Sequence, residues 1–306
     1  MENLQMIINE YLDFCKNQKR LDSKTLRAYR IDLTQFSIAI KRENVSDIKP
    51  EVLELFIEEL HKKYKPKTVK RKLASVKALF HYMEYRDYIS VTPFKKIYVR
   101  FREPVVLPRT IPLAIIEKLL STIYRQRLIA ETPFKRRRAL RDAAVIEFLF
   151  ATGIRISELC CLKAENVNLQ NYSVLIYGKG SKERCLQIGN LDVRQILNEY
   201  FSEFHKEIED CGYFFVNQHS CPLSDQAVRR MIRHYCSLAD VNLHITPHMF
   251  RHTFATCLLE ADVDIRYIQE MLGHSSINIT QIYTHVTMTK QMDILSTKHP
   301  RKEMRV

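Results

Sequence analysis

The stretch HMFRHTFAT occupies His248–Thr256 and sits inside ITPHMFRHTFATCLLE, a segment with the apolar spacing of a buried helix. Thr246 is placed to cap that helix and Pro247 suits its first turn, where a missing N–H costs nothing. Met249, Phe250, Phe254, Cys257 and Leu258 supply the buried sides. His248 and Arg251, three apart, share one face near the helix N-terminus, where free backbone N–H groups and the helix dipole favour an anion. His252 lies off that face and is expected to support rather than react. A histidine and an arginine so placed suit a phosphate or a carboxylate, yet taken alone they more often serve structure.

Moving outward, IRYIQEMLGHSS ends a second helix at Gly273, the residue type that tolerates the left-handed C′ position. His274 follows on the turn, with Ser275 or Ser276 available to cap the next helix, which carries Tyr283. Upstream, FLFATGIRISELCCL sets Arg155 just past Gly153, where an apolar helix meets a turn, with Glu158 spaced to orient its guanidinium. YSVLIYGKGSKERCLQIG reads as two strands, Tyr172–Tyr177 and Glu183–Ile188, joined by a turn that presents Lys179. That turn does not satisfy the phosphate-loop pattern G-x-x-x-x-G-K-[ST], and a hairpin is the wrong setting for one. GYFFV (Gly212–Val216) is a candidate further strand.

The rest of the chain reads as helix. Leu4, Ile7, Ile8, Tyr11, Leu12 and Cys15 form one stripe; Leu26, Tyr29, Leu33 and Phe36 form the next, with Ser23 as its expected N-cap. A third helix falls in KPEVLELFIEELHKKY. In a fourth, KTVKRKLASVKALFHYMEY, the residues Leu73, Val76, Leu79, Phe80 and Met83 point inward, while Lys67, Lys70, Arg71 and Lys77 are expected to meet DNA phosphates. VRFREPVVLPRT, with Pro104 and Pro108, reads as an extended strap. Beyond it helices are expected from Leu113 and from Arg141 to Ala151, with FKRRRALRD (Phe134–Asp142) either a basic loop or helix start on the DNA side or a solvated charge run.

Composition narrows the function. The 306 residues allow about two domains, and 46% hydrophobic with 27% charged residues is ordinary for a globular chain. The formal charge is +13, of which residues 1–105 contribute a net +8; a basic surface of this size favours a polyanion, nucleic acid above all. No apolar run is long enough to span a bilayer, and the polar-interrupted N-terminus does not read as a secretion signal. Eight cysteines without a C-x-x-C pair suggest reduced thiols in a cytoplasm rather than a zinc or redox site.

Arg155 in ATGIRISEL, Lys179 in GKGSKER, HMFRHTFAT, LGHSS and Tyr283 in QIYTHV follow the order and approximate spacing of the tyrosine recombinase, or phage integrase, family. The chain resembles its Xer-type members over almost its whole length. In the first part, DSKTLRAYRIDLTQF, TVKRKLASVKALFHYM and TPF are similar, more loosely, to the family's core-binding domain. The segment STIYRQRLIAETPFKRRRALRD is less typical of it.

The resemblance implies a mainly α fold with a small β-sheet: a helical DNA-clamping domain (1–100), a linker (101–109), an α+β catalytic domain (110–286) and a tail (287–306) that docks on a neighbouring protomer. It implies that Arg155 and Arg251 grip the scissile phosphate, that Lys179 protonates the leaving 5′-oxygen, that His248 and His274 fill the two histidine positions and that Tyr283 is the nucleophile. Glu158 takes a supporting place. The expected partners are double-stranded DNA and further copies of the chain as a homo-tetramer on two sites, with an accessory protein as a further candidate and no membrane.

The residue types suit the chemistry. Charge builds on a phosphodiester under attack, and guanidinium forks match two phosphate oxygens as lysine cannot. Tyrosine has a reference pKa of ~10, so only ~0.1% is phenolate at neutral pH unless nearby cations favour the anion. A covalent 3′-phosphotyrosyl link would preserve the phosphodiester's energy, so rejoining needs neither ATP nor another cofactor. No acidic cluster that would hold paired metals is evident, and activity in excess EDTA is expected. The function expected is site-specific recombination, as in mobile-element integration and excision or chromosome-dimer resolution. A type IB topoisomerase would use the same groups without exchanging partners, and a catalytically silent DNA-binding regulator would keep the fold alone.

Overall fold

The computed structural model describes residues 3–98, 109–178 and 183–273. The chain divides into two compact units, Met1–Val105 and Val106–Val306. The expected linker therefore falls almost wholly outside the described residues, as does the expected tail.

Among its described residues the first unit contains four α-helices: α1 (Leu4–Asn17), α2 (Ser23–Ile40), α3 (Pro50–Lys63) and α4 (Pro66–Tyr85). The stripe on α1 is wholly buried, as its spacing predicts. It meets Leu33, Phe36, Leu53, Phe56, Leu73, Val76, Leu79 and Phe80 in one core. Asp22 rather than Ser23 caps α2. It holds the extended backbone an N-cap needs, and its carboxylate accepts from the Thr25 amide at 2.9 Å.

The polar side of helix α4 has partners that its periodicity does not record. Lys67, Lys70 and Arg71 are exposed, but Arg71 ion-pairs with Asp32 of α2. Lys77 is half-buried, its ammonium 5.4 Å from the centre of the Phe94 ring. Lys72, which the periodicity did not single out, is buried; it bonds Asp32 at 3.1 Å and also contacts Gln35. Ser75 donates to the same Asp32 carboxylate at 2.9 Å. A buried carboxylate that satisfies a buried lysine fixes α2 against α4. Asp32→Ala is expected to cost about 3–5 kcal/mol in denaturant unfolding, because it strands a buried ammonium.

The second unit contains α5 (Leu113–Leu128), α6 (Pro133–Thr152), α7 (Ile156–Cys160), a three-stranded antiparallel sheet in the order β1 (Val167–Asn168), β2 (Ser173–Tyr177), β3 (Glu183–Gln187), and then α8 (Leu191–Cys211), α9 (Asp225–Leu238), α10 (Pro247–Glu260) and α11 (Ile265–Leu272). Helix α6 begins eight residues before the expected Arg141. Thr132 accepts from the Lys135 amide at 3.2 Å, and Pro133 takes the first turn.

The arginines of FKRRRALRD are accordingly helical and largely committed within the unit. Arg137 bonds Glu203 and Glu207 at 2.8 and 2.7 Å, and Arg141 bonds the buried Asp142 at 2.7 Å. Burial of most of α6, with Phe148, Leu149 and Val145 fully inside, makes it the central element of the core. GYFFV forms no strand: Tyr213 and Val216 make single bridges to Lys163 and Pro222, and proline has no amide with which to extend a ladder. Phe214, Phe215 and Val216 are buried by the helices instead.

Candidate active site

Helix α6 ends at Gly153, whose φ of +58° places it in the left-handed region. A Cβ there would lie 2.6 Å from the Phe254 ring and 3.1 Å from Leu272, so glycine is required by conformation and by space. The turn that follows delivers Arg155 to the N-cap position of α7. The Glu158 side chain returns to bond the Arg155 amide at 3.1 Å and the guanidinium at 2.7 Å. Glu158 thus contacts Arg155 at both its amide and its guanidinium.

Arg251 arrives from α10, one turn past Pro247. Thr246 occupies the N-cap position, but its side chain makes no capping bond. The Arg251 side chain is buried and donates to the Gly153 carbonyl at 2.9 Å and the Leu272 carbonyl at 2.5 Å. Arg155 reaches the same helix end, donating to Leu272 O at 3.4 Å and Gly273 O at 3.3 Å, while a third of its side chain stays exposed. Both guanidiniums thus converge on the C-terminus of α11, where unpaired carbonyls and the dipole attract cations. Gly273 closes that helix with φ +63°.

His248 reaches the surface next to this cluster. Partial burial, then the Arg229, Arg251 and Arg155 charges, hold its pKa below the ordinary imidazole value. The shift favours the neutral ring, the form that can accept a proton. His252 is half-buried, and its pKa falls to about 4 through burial first and then through His248 and Arg251. Its folded pKa lies below the ordinary imidazole value of 6.5, so the unfolded chain takes up the proton first as pH falls. The stability contributed is complete above pH 6.5 and is lost progressively toward pH 4. Chemical denaturation across that window should show the loss, and His252→Gln should flatten it to the slope left by His248 and the carboxylates.

Arg184, on β3, was not singled out by the sequence reading. It is buried, and donates to Glu158 Oε2 at 2.6 Å, Glu158 Oε1 at 3.1 Å and Met271 O at 2.8 Å. Its only signal in the sequence was a charged residue at an inward position of an alternating strand, between Tyr177 and Ile188. Burial alone would push the Glu158 carboxyl up, but the Arg184 contact, then Arg155, more than offset it and keep the group below the usual carboxylate range. Lys179, His274 and Tyr283 lie outside the described residues.

Residues 122–290 match the phage integrase family and residues 8–86 its N-terminal SAM-like domain. A tyrosine recombinase of Agathobacter rectalis is 63% identical over 303 residues, 99% of each chain. The tyrosine recombinase XerC of Thermodesulfovibrio yellowstonii is 34% identical, covering 98% of each. Among solved structures, a XerH site-specific recombinase bound to a palindromic difH substrate shares the fold, with a TM-score of 0.75 at 24% identity, over 93% of this chain and 83% of that one.

The chain therefore belongs to the phage integrase family, the tyrosine-type site-specific recombinases. Among the described residues no helix is long and apolar enough to cross a membrane.

Proposed function

We propose that this recombinase cleaves one DNA strand at a time, with Tyr283 attacking the scissile phosphorus and the 5′-oxygen leaving with a proton from Lys179. A 5′-hydroxyl from the partner duplex then attacks the 3′-phosphotyrosyl link and releases the tyrosine. The observation that carries the reading is the meeting of Arg155, from the turn after α6, and Arg251, from α10, at the C-terminal end of α11, with His248 of α10 close enough to feel both charges. Each guanidinium has five N–H donors, and the carbonyl bonds hold its plane in place. A neutral His248 beside these cations can receive the tyrosine's proton, and the same cations favour the phenolate. His274 joins this set as a further donor to the phosphate.

The reading includes double-stranded DNA as substrate, a homo-tetramer on two sites and a cytoplasmic setting, with an accessory protein as a further candidate partner. Lys67, Lys70, Arg71 and Lys77 remain the proposed phosphate contacts of the first unit, with Lys67, Lys70 and Arg71 the exposed members of that set. The test is covalent trapping on a library of nicked suicide duplexes in excess EDTA, with the attached DNA sequenced. A denaturant-resistant adduct on a defined sequence is the expected result. Absence of any adduct on DNA that the protein binds specifically would leave a DNA-binding regulator in its place, and relaxed circles without exchanged two-site products would leave a topoisomerase.

A further inference from the structure

Arg184 makes contacts that the reaction itself does not require of it. Its guanidinium bridges both oxygens of Glu158, and its Nε holds the Met271 carbonyl at 2.8 Å. Its side chain and that of Glu158 are each only 7% exposed. Glu158 is in turn the carboxylate that holds the Arg155 guanidinium and amide. The plane of Arg184 also lies against Gly273: a Cβ at that glycine would meet Nη1 at 3.0 Å, Cδ at 3.1 Å and Cζ at 3.3 Å. One buried side chain therefore joins β3, the strand that follows Lys179, to α7, whose N-cap position Arg155 holds, and to the end of α11, which precedes His274.

We infer that Arg184 is a positioning residue, which fixes Arg155 through Glu158 and sets the strand after Lys179 against the helix end before His274. Its bonds are directed at Glu158 and the Met271 carbonyl, so it acts on the phosphate only through Arg155. The chemistry explains the choice of side chain. Glu158 buried with Arg155 alone would be an under-satisfied carboxylate free to rotate away, whereas a second guanidinium occupies its remaining lone pairs in a fixed plane. Lysine carries the charge, but it cannot span two carboxylate oxygens and a carbonyl together. This inference rests on the proposed reading that Arg155 grips a charged phosphate.

The experiment compares the parental chain with Arg184→Lys and Arg184→Gln, at a temperature where circular dichroism shows each one folded. Single-turnover cleavage of a trapped DNA substrate should slow by roughly 10–100-fold, as for other residues that orient a reacting group. The DNA concentration giving half the maximal rate should not change. Replacing one non-bridging phosphate oxygen by methyl removes the charge that Arg155 neutralises, so the penalty of either variant should shrink on that linkage. Combining Arg184→Gln with Glu158→Gln should cost no more than the larger single effect.

Parental rates per folded molecule would overturn the inference, as would equal slowing on the charged and the methyl-substituted linkages, which marks a merely structural pair. If Arg184→Gln does not fold, Arg184→Lys, which keeps the charge, decides the matter by the same comparison. A parental chain that binds DNA and yields no adduct defeats the functional reading instead, so the two failures are told apart.

Discussion

Tyr283→Phe is expected to bind DNA as the parental chain does and to form no covalent complex with it. The substitution removes one oxygen and keeps the ring, so packing and phosphate contacts survive while the nucleophile is gone. Loss of a nucleophile typically lowers a rate by several orders of magnitude, because the remaining electrostatic groups have no bond to form. Denaturing gels of a suicide substrate read the adduct, and filter or mobility-shift titration reads binding. Adduct at the parental yield would remove Tyr283 from the role and move the search to other hydroxyls near Arg155.

Arg155→Lys should lower the cleavage rate on the order of 10²–10³, the usual loss when a preorganised donor to developing charge is removed. Charge is retained in this variant; what disappears is the fork and its bond to Glu158. With a third of the Arg155 side chain exposed, the melting temperature should change little. Arg251→Lys should show a comparable rate loss together with reduced stability, because that buried guanidinium also satisfies the Gly153 and Leu272 carbonyls. Rate and thermal unfolding measured side by side separate the two arginines. A parental cleavage rate in Arg155→Lys would sink the claim that planar bidentate contact, rather than charge, is what the site uses.

The helices of the first unit could be read from the sequence because each presents one apolar stripe to one core. The residues Leu4, Ile7, Ile8, Tyr11, Leu12 and Cys15 illustrate this, since the period alone assigns their side. Polar burial could not be read in that way. Lys72 sits inside because Asp32, forty residues earlier, waits there with a compensating charge, and no local pattern records such a partner. The same holds for FKRRRALRD, whose arginines look like a nucleic-acid patch in sequence and are met in the fold by Glu203, Glu207 and Asp142.

At the candidate site the division is similar. Gly153 and Gly273 announced their turns through the conformation only glycine adopts easily, and Glu158 announced itself by being one helical turn from Arg155. Arg184 gave no such notice, because its partners belong to α7 and to the end of α11, both remote in sequence.

Sequence alone determined the helical stripes, the hairpin, the turns at Gly153 and Gly273, and the motifs that place the chain in its family. Each of these depends on residues within a few positions of one another, or on order along the chain. Tertiary structure alone decided which cations are spoken for within the protein, that Arg251 is buried while Arg155 reaches solvent, and that Arg184 ties three segments together. Those outcomes depend on charge meeting charge across the fold, a long-range and solvent-excluded interaction that periodicity does not encode.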